Sequence, residues 1–467
     1  MNENILAFSS TATGYNHIKV EKGCEDASDF YMDDKMRICV VADGHGSDNY
    51  PRTERGSEYA VEAAIECIVD FVNTANPKDV LVDEKNHYAL MMQLVTSILR
   101  IWHEKIENDY IKNPFTEKEL ERVSEKYKQR YMSLNENERK VEKAYGCTLI
   151  AYVCTDDYSF GMQIGDGKCV IVDKEGNFVE PIPWDENCQM NVTTSICDSD
   201  ARDEFRFYIS EKMPVAVFCG SDGIDDSYAT PEEVYALYRS ILKIFIEHGA
   251  EVGKKEIMEY LPVLTKRGSG DDVSVALIID MEKVNILSGV LDTQGELFKI
   301  DAELKEKKHQ IDVMIERRNA IDIRYRKWVQ AGRPKLNTEP DYIVSNNMGV
   351  SIAEMEKEVA EITAKRQVIL DTIQDELFDI EQASFAQQEE LAPIDNLTNG
   401  NAVPEILVQE VEEKKEFVPL NVAEKKRSIA EQQELVSEQA IDEIVDEYLT
   451  FSSETEEINE TDSTEEA

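Results

Sequence analysis

The sequence predicts an α+β layered domain across its first part, followed by a long helical extension and an acidic tail. Three observations predict it. Short apolar runs bounded by Gly or Asp alternate with helix-patterned segments as far as Asp280. The runs between 147 and 174 follow one another too closely for intervening helices, which is the spacing of antiparallel hairpins rather than βαβ units. After Asp280 the chain changes to charge-rich segments with Leu, Ile and Met at helical intervals.

Taken in order, the strand candidates are MRICVVAD (36–43), CTLIAYVCT (147–155), YSFGMQIGD (158–166), KCVIVDK (168–174), PVAVFCGSD (214–222) and DVSVALIID (272–280). Their Val, Ile and Cys content suits a pleated, buried surface. Between them, GSEYAVEAAIECIVDFVN (56–73) and YALMMQLVTSILRIWHEKIENDYI (88–111) repeat apolar residues at the spacing of a helix with one buried face. PEEVYALYRSILKIFIEHG (231–249) adds Pro in its first turn and Gly at its end. Residues 112–145, charged and helix-prone, read as an insertion between the second helix and the next strand. Meandering strands with helices packed outside give the layered α+β class.

Two long amphipathic segments follow, GELFKIDAELKEKKHQIDVMIERRNAIDIRYRKWVQAG (295–332) and SIAEMEKEVAEITAKRQVILDTIQDELFDIEQ (351–382), separated by a polar linker with Pro334 and Pro340. They predict an antiparallel helical hairpin or coiled coil, whose apolar stripe serves helix-on-helix packing or a protein partner's groove. From Ser428 to the end there is no Lys or Arg. The last stretch, SSETEEINETDSTEEA, cannot bury enough apolar surface to offset chain entropy, so disorder is expected there, with a short helix over 429–450 as the exception. The expected domains are 1–282, 283–395 and 396–467.

Charge narrows the function. The 467 residues carry 95 acids against 50 Lys and Arg, a formal net of −45. Such a field repels phosphate backbones and anionic lipid, which argues against nucleic-acid and membrane partners and favours a divalent cation or a basic protein. No apolar run approaches the ~20 residues of a spanning helix. MNENILAFSS lacks the basic stretch and apolar core of a signal peptide, so a cytoplasmic location is expected. The nine cysteines are scattered without a CxxC pair, mostly in strand-like runs, where a free thiol behaves as a small hydrophobe.

The chemistry lies in acids beside glycine at strand ends. These are Glu25 and Asp26 in GCEDAS, Asp43 in VADGHG, Asp166 in QIGDGK, Asp222 and Asp226 in GSDGIDD, and Asp271 and Asp272 in GSGDDVS. One Asp-Gly pair is an ordinary turn signal. Several half-buried carboxylates in one place repel each other and lose solvation unless a cation sits among them. Hard divalent ions such as Mg2+ and Mn2+ take such oxygen ligands. EF-hand spacing is absent, which argues against a calcium-binding structural protein.

In order along the chain, ED (25–26), VADGHG (41–46), GCTL (146–149), IGDGK (164–168), SDGIDD (221–226) and GSGDDVSVALI (268–278) resemble the metal-dependent protein phosphatase family (PPM, type 2C), in a bacterial-type member, over residues 5–282. The resemblance implies a sandwich of two antiparallel sheets flanked by pairs of helices. It implies a serine/threonine protein phosphatase that hydrolyses phosphomonoesters by direct attack of a metal-activated water, with two Mg2+ or Mn2+ ions per site and a third, weaker one in many members. On that pattern Asp43 bridges two ions and the Gly44 carbonyl helps hold one of them. Asp222 and Asp271 complete the other ion's shell, and Glu25 contacts the first ion's shell directly or through water. Asp26 orients nearby waters, Asp166 and Asp226 match the third site, and His45 matches the general acid for the leaving alkoxide.

Two departures stand out. Many members carry an arginine a few residues before the first acidic pair, where it grips the phosphate; YNHIKVEKGCED has none. His17, Lys19 and Lys22 are the candidate phosphate contacts in its place, and a lysine is less geometrically selective than a guanidinium. Asp272 stands where a neutral Asn is common and adds negative charge near the site. The expected partner is a phosphoprotein bearing phospho-Ser or phospho-Thr, with 283–395 as a surface for a further protein. The alternative reading is a catalytically weak phosphatase-like scaffold acting through 283–467.

Overall fold

The structure, a computed structural model, describes residues 4–390 apart from 76–79, 81–83, 134, 136–138, 189–191 and 334–341. The linker prolines and the acidic tail, with the helix expected over 429–450, lie outside the described residues.

Two five-stranded antiparallel sheets form the first part of the chain. One has the order β1 (Ile5–Ala12), β10 (Val273–Asp280), β9 (Ala216–Gly220), β6 (Lys168–Val172), β7 (Phe178–Val179). The other runs β2 (Ala27–Met32), β3 (Met36–Ala42), β4 (Leu149–Thr155), β5 (Ser159–Ile164), β8 (Arg206–Ser210). β3, β4, β5, β9 and β10 are buried along their whole length. Alternate residues explain this. Cys39, Val41, Ile150, Tyr152, Val217, Cys219, Ala276 and Ile278 form a core between the sheets. Met36, Ile38, Val40, Leu149, Ala151 and Val153 face the opposite way into a second core with helices. A strand buried on both faces shows a continuous apolar run rather than alternation.

The helices cover the outer faces. A short helix, α1 (Tyr15–Lys19), follows β1. α2 (Thr53–Thr74) and α3 (Glu84–Lys112) lie on the β3–β4 face, where Ala60, Ala64, Ile68 and Trp102 join the core. α4 (Pro231–His248) and α5 (Ala250–Arg267) pair on the other face, where the Tyr238 ring stacks on Phe218 at 4.3 Å. α4 opens with Pro231 and a reciprocal cap between Thr230 and Glu233, which satisfies its first N–H groups. The helix-flanked sandwich is thus the fold of this chain. Between 113 and 145 the described residues include short helical pieces at Glu117–Leu120, Glu125–Tyr131 and Val141–Tyr145, whose Tyr131 and Tyr145 are fully buried. They enclose Arg52, which donates to Glu119 at 2.8 Å and Tyr145 at 2.8 Å beneath the Phe115 ring.

The helical extension begins inside this packing. Val284, Leu287, Val290 and Leu291 are at most 3% exposed, and Lys243 of α4 pairs with Asp292 at 3.1 Å. A boundary at 282 therefore leaves these side chains on the far side of the cut. α6 (Ser288–Gln330) and α7 (Tyr342–Glu390) run antiparallel: Asp301 meets Arg366, Lys307 meets Glu358 at 2.6 Å, and Asp322 meets Ser345. By packing, the chain separates into Met1–Leu370 and Asp371–Ala467. Among the described residues, no helix is long and apolar enough to cross a membrane. All nine cysteines are free thiols, and all but Cys24 are buried.

Candidate metal centre

Strand register gathers the acids at one end of the sandwich. Ala27 pairs with Ala42, so Asp26 precedes β2 just where Asp43 follows β3. Leu149 pairs with Ile164, which puts Thr148 and the turn around Asp166 at the same end. Lys168 and Val275 both pair with Gly220, which adds Asp222 and Asp271.

Close backbone contacts fix these segments. Asp43 accepts from the Thr148 N–H at 2.7 Å and donates its own N–H to Thr148 Oγ1 at 3.0 Å. A Cβ on Gly44 would sit 2.5 Å from both the Glu25 carbonyl and Thr53 Oγ1. Only glycine lets the DG segment approach the ED segment so closely. Across the site, a Cβ on Gly14 would sit 2.5 Å from the Asp271 backbone, so the turn after β1 wraps directly against the GDD segment.

The electrostatics follow from this crowding. Asp43 and Asp222 are buried close enough for their carboxyl groups to interact. Burial raises both above the usual carboxylate range, and for Asp43 the neighbouring Asp26 and Asp222 charges add to it. Asp26 is raised chiefly by burial, against a hydrogen bond from Ser221, with Asp272 and Asp222 pushing the same way as burial. Its Oδ2 is buried without a hydrogen-bond partner. Burial also lifts Glu25 to about 7, although Lys22 donates to it. Asp166 and Asp226 are raised by burial too, with Asp166 held by Thr193. Crowded carboxyl groups raised by burial, an orphaned carboxylate oxygen and an oxygen-rich donor set fit hard divalent cations.

His45 donates its backbone N–H to Gly146 at 3.1 Å, and its Nε2 lies 2.7 Å from Ser195 Oγ. Burial lowers this imidazole to about 4, with Asp198 opposing. The three candidate phosphate contacts separate. Lys22 Nζ reaches Glu25 Oε2 at 2.6 Å and the Gly46 carbonyl at 3.0 Å, beside the acids. Lys19 turns to its own helix, donating to Asn16 at 3.3 Å and lying over the Tyr15 ring. His17 faces Asp272, Glu25 and Asp271. Asp272 itself is buried, and its oxygens accept the backbone N–H groups of Gly14 at 2.5 Å and Glu25 at 2.6 Å. Its charge therefore clasps three chain segments together.

Sequence reasoning passed over Thr148, Ser195, Ser221 and Ser274, the last of which supports Asp26 together with Ser221. Thr148, Ser221 and Ser274 stand inside quoted motifs, GCTL, SDGIDD and GSGDDVSVALI, so adjacency was the available signal. Ser195, in TTSIC, carried none.

A helix-flanked double sheet with buried acids gathered at one end is a PPM-type hydrolase fold. The sequence matches the family described as protein phosphatase 2C over residues 13–261, and the chain belongs to that family. No curated protein matches the sequence. Among solved structures, a bacterial serine phosphatase is similar at 14% identity and TM-score 0.38, covering 59% of this chain and 97% of that one. The catalytic domain of the serine/threonine phosphatase PstP, in complex with two manganese ions, is similar at 14% identity and TM-score 0.35, covering 59% and 97%. Stp1 from Staphylococcus aureus is similar at 15% identity and TM-score 0.37, covering 60% and 95%.

Proposed function

We propose that this chain is an active Mg2+- or Mn2+-dependent phosphatase of phosphoserine and phosphothreonine proteins in the cytoplasm. The observation that carries it is the crowding of the buried Asp26, Asp43 and Asp222 carboxyl groups, with Asp26 Oδ2 left without a hydrogen-bond partner, which marks a place for positive charge. Asp43, the Gly44 carbonyl, Glu25, Asp222 and Asp271 would hold two cations, and Asp166 with Asp226 a third. When bound, the cations supply water activation and neutralise charge on the phosphoryl oxygens. Asp26 orients water through Oδ2. Lys22 is the best placed of the candidate cations to contact phosphate. His45 protonates the departing serine or threonine oxygen; burial keeps its ring neutral until a dianionic phosphate faces it and favours the charged form. Exposed Ile323 and Val350 on the α6–α7 hairpin support recruitment of a protein partner there.

Phosphate release from phosphoserine and phosphothreonine peptides, with and without Mn2+ or Mg2+, tests this reading. Metal-dependent turnover that Asp43→Asn abolishes is the expected result. Cation binding without turnover would favour the scaffold instead.

A further inference from the structure

His17 is held in the orientation of a metal-ligating histidine. Its Nδ1 lies 2.9 Å from Asp272 Oδ1. Asp272 is 3% exposed and already accepts the backbone N–H groups of Gly14 and Glu25, so it acts as an acceptor on every side. An acceptor opposite Nδ1 places a ring proton on Nδ1, so the neutral imidazole carries its lone pair on Nε2. That lone pair faces two further acceptors, Glu25 Oε2 at 3.9 Å and Asp271 Oδ1 at 3.8 Å. Neither distance is a hydrogen bond. Ligand atoms bound to one cation at about 2.1 Å stand roughly 3 to 4 Å apart, so both distances suit neighbours in one coordination shell. Atoms of His17, Asp271 and Asp272 all lie within 4.8 Å of one another. A carboxylate that accepts from the far nitrogen of the ring is the usual support of a metal-bound imidazole.

We propose that His17 Nε2 is a nitrogen ligand to a divalent cation held by Glu25 and Asp271 together, instead of the division of these two acids between two ions that the family resemblance implies, with Asp272 as the residue that orients the ring. This rests on the cation centre described under the proposed function. Imidazole suits transition metals better than Mg2+, so the nitrogen biases an otherwise oxygen-lined centre toward Mn2+. It also gives His17 a use other than gripping phosphate, which leaves that contact to Lys22.

The test is pulsed electron paramagnetic resonance on the Mn2+-loaded full chain, prepared with ordinary and with 15N-labelled histidine. The expected spectrum shows nitrogen coupling to Mn2+ that changes isotope pattern with the label and disappears in His17→Gln while persisting in His45→Ala. Calorimetric titration of His17→Gln is expected to weaken Mn2+ binding by ~10–100-fold and Mg2+ binding by much less. Tight Mn2+ binding without histidine nitrogen coupling in the wild-type chain would overturn the His17 ligand and leave the cation centre standing. Absence of Mn2+ binding at micromolar to millimolar metal would overturn the centre itself. The labelled wild-type spectrum requires no variant, so a failure of His17→Gln to fold does not blunt the test.

Discussion

His45 Nε2 meets Ser195 Oγ at 2.7 Å across a sequence separation of 150 residues. Ser195 Oγ in turn lies 3.0 Å from the Cys147 carbonyl, so the serine ties the DGHG turn to the start of β4 and fixes the imidazole's direction. If that ring protonates the leaving oxygen, its removal should matter most where the leaving group is most basic. His45→Ala is expected to slow a phosphoserine peptide by about 10²–10⁴-fold and p-nitrophenyl phosphate far less. Ser195→Ala, which keeps the ring and loses its holder, should show the same pattern at smaller scale. Steady-state rates on both substrates check this; equal slowing of the two would count against an acid role.

The Asp43–Asp222 contact makes a second expectation about stability. Asp222→Asn removes one of the buried acids that repel Asp43 and supplies an amide donor in its place. The metal-free variant should therefore melt a few degrees higher than the native chain at neutral pH, on the order of 1 kcal/mol. Turnover and Mn2+-induced stabilisation should both be lost. Thermal denaturation with and without Mn2+, alongside phosphate release, reads both effects together. A lower melting temperature without metal would show that the carboxylate pair is not under strain.

The raised carboxylates set the sign of the pH response. Glu25 is lifted to about 7, and Asp26, Asp43 and Asp222 are raised in the same direction. Groups with a raised folded value hold more protons folded than unfolded, so their contribution is present at acid pH and lost as pH rises through the folded values. The metal-free protein should thus lose stability between about pH 4.5 and pH 8 through these groups. Cation binding must displace those protons, so apparent affinity should rise with pH over the same window and binding should release protons. Titration calorimetry in buffers of different ionisation enthalpy measures the released protons directly. Affinity independent of pH from 5 to 8 would contradict the assignment.

What the sequence revealed follows burial. The six strands foreseen include every interior strand of both sheets, which are apolar on both faces and read as unbroken runs. The four passed over, β1, β2, β7 and β8, are the sheet edges, where one side meets solvent and residues such as Ser9, Ser10, Asp29 and Arg206 blur the pattern. α5 escaped because Gly253, Lys254, Lys255 and Pro262 interrupt its apolar spacing. Asp43, Asp166, Asp222 and Asp271 were visible because each adjoins a glycine at the edge of an apolar run, and Glu25, Asp26 and Asp226 because they stand within a few residues of one. Their supports were not: Asp272 is satisfied by backbone N–H groups at 14 and 25, and Ser195 by a ring 150 residues away, contacts that leave no local mark.

The join between sandwich and hairpin gives the last expectation. Val284, Leu287, Val290 and Leu291 are buried at the start of the extension, and Leu287, Val290 and Gln294 close over the turn at Gly176. Burying such a side chain contributes roughly 1.5–3 kcal/mol as an upper estimate, so losing these contacts removes several kcal/mol from a typical total of about 5–15. A chain ending at Glu282 should therefore melt at least about 10 °C below one ending at Ile300. The longer fragment keeps the four side chains and the Lys243–Asp292 pair, and should retain Mn2+-dependent turnover close to that of the full chain. Melting curves and phosphate release from the two fragments decide the matter. Equal melting temperatures would mean that these residues do not brace the sandwich, and that its stability ends with β10.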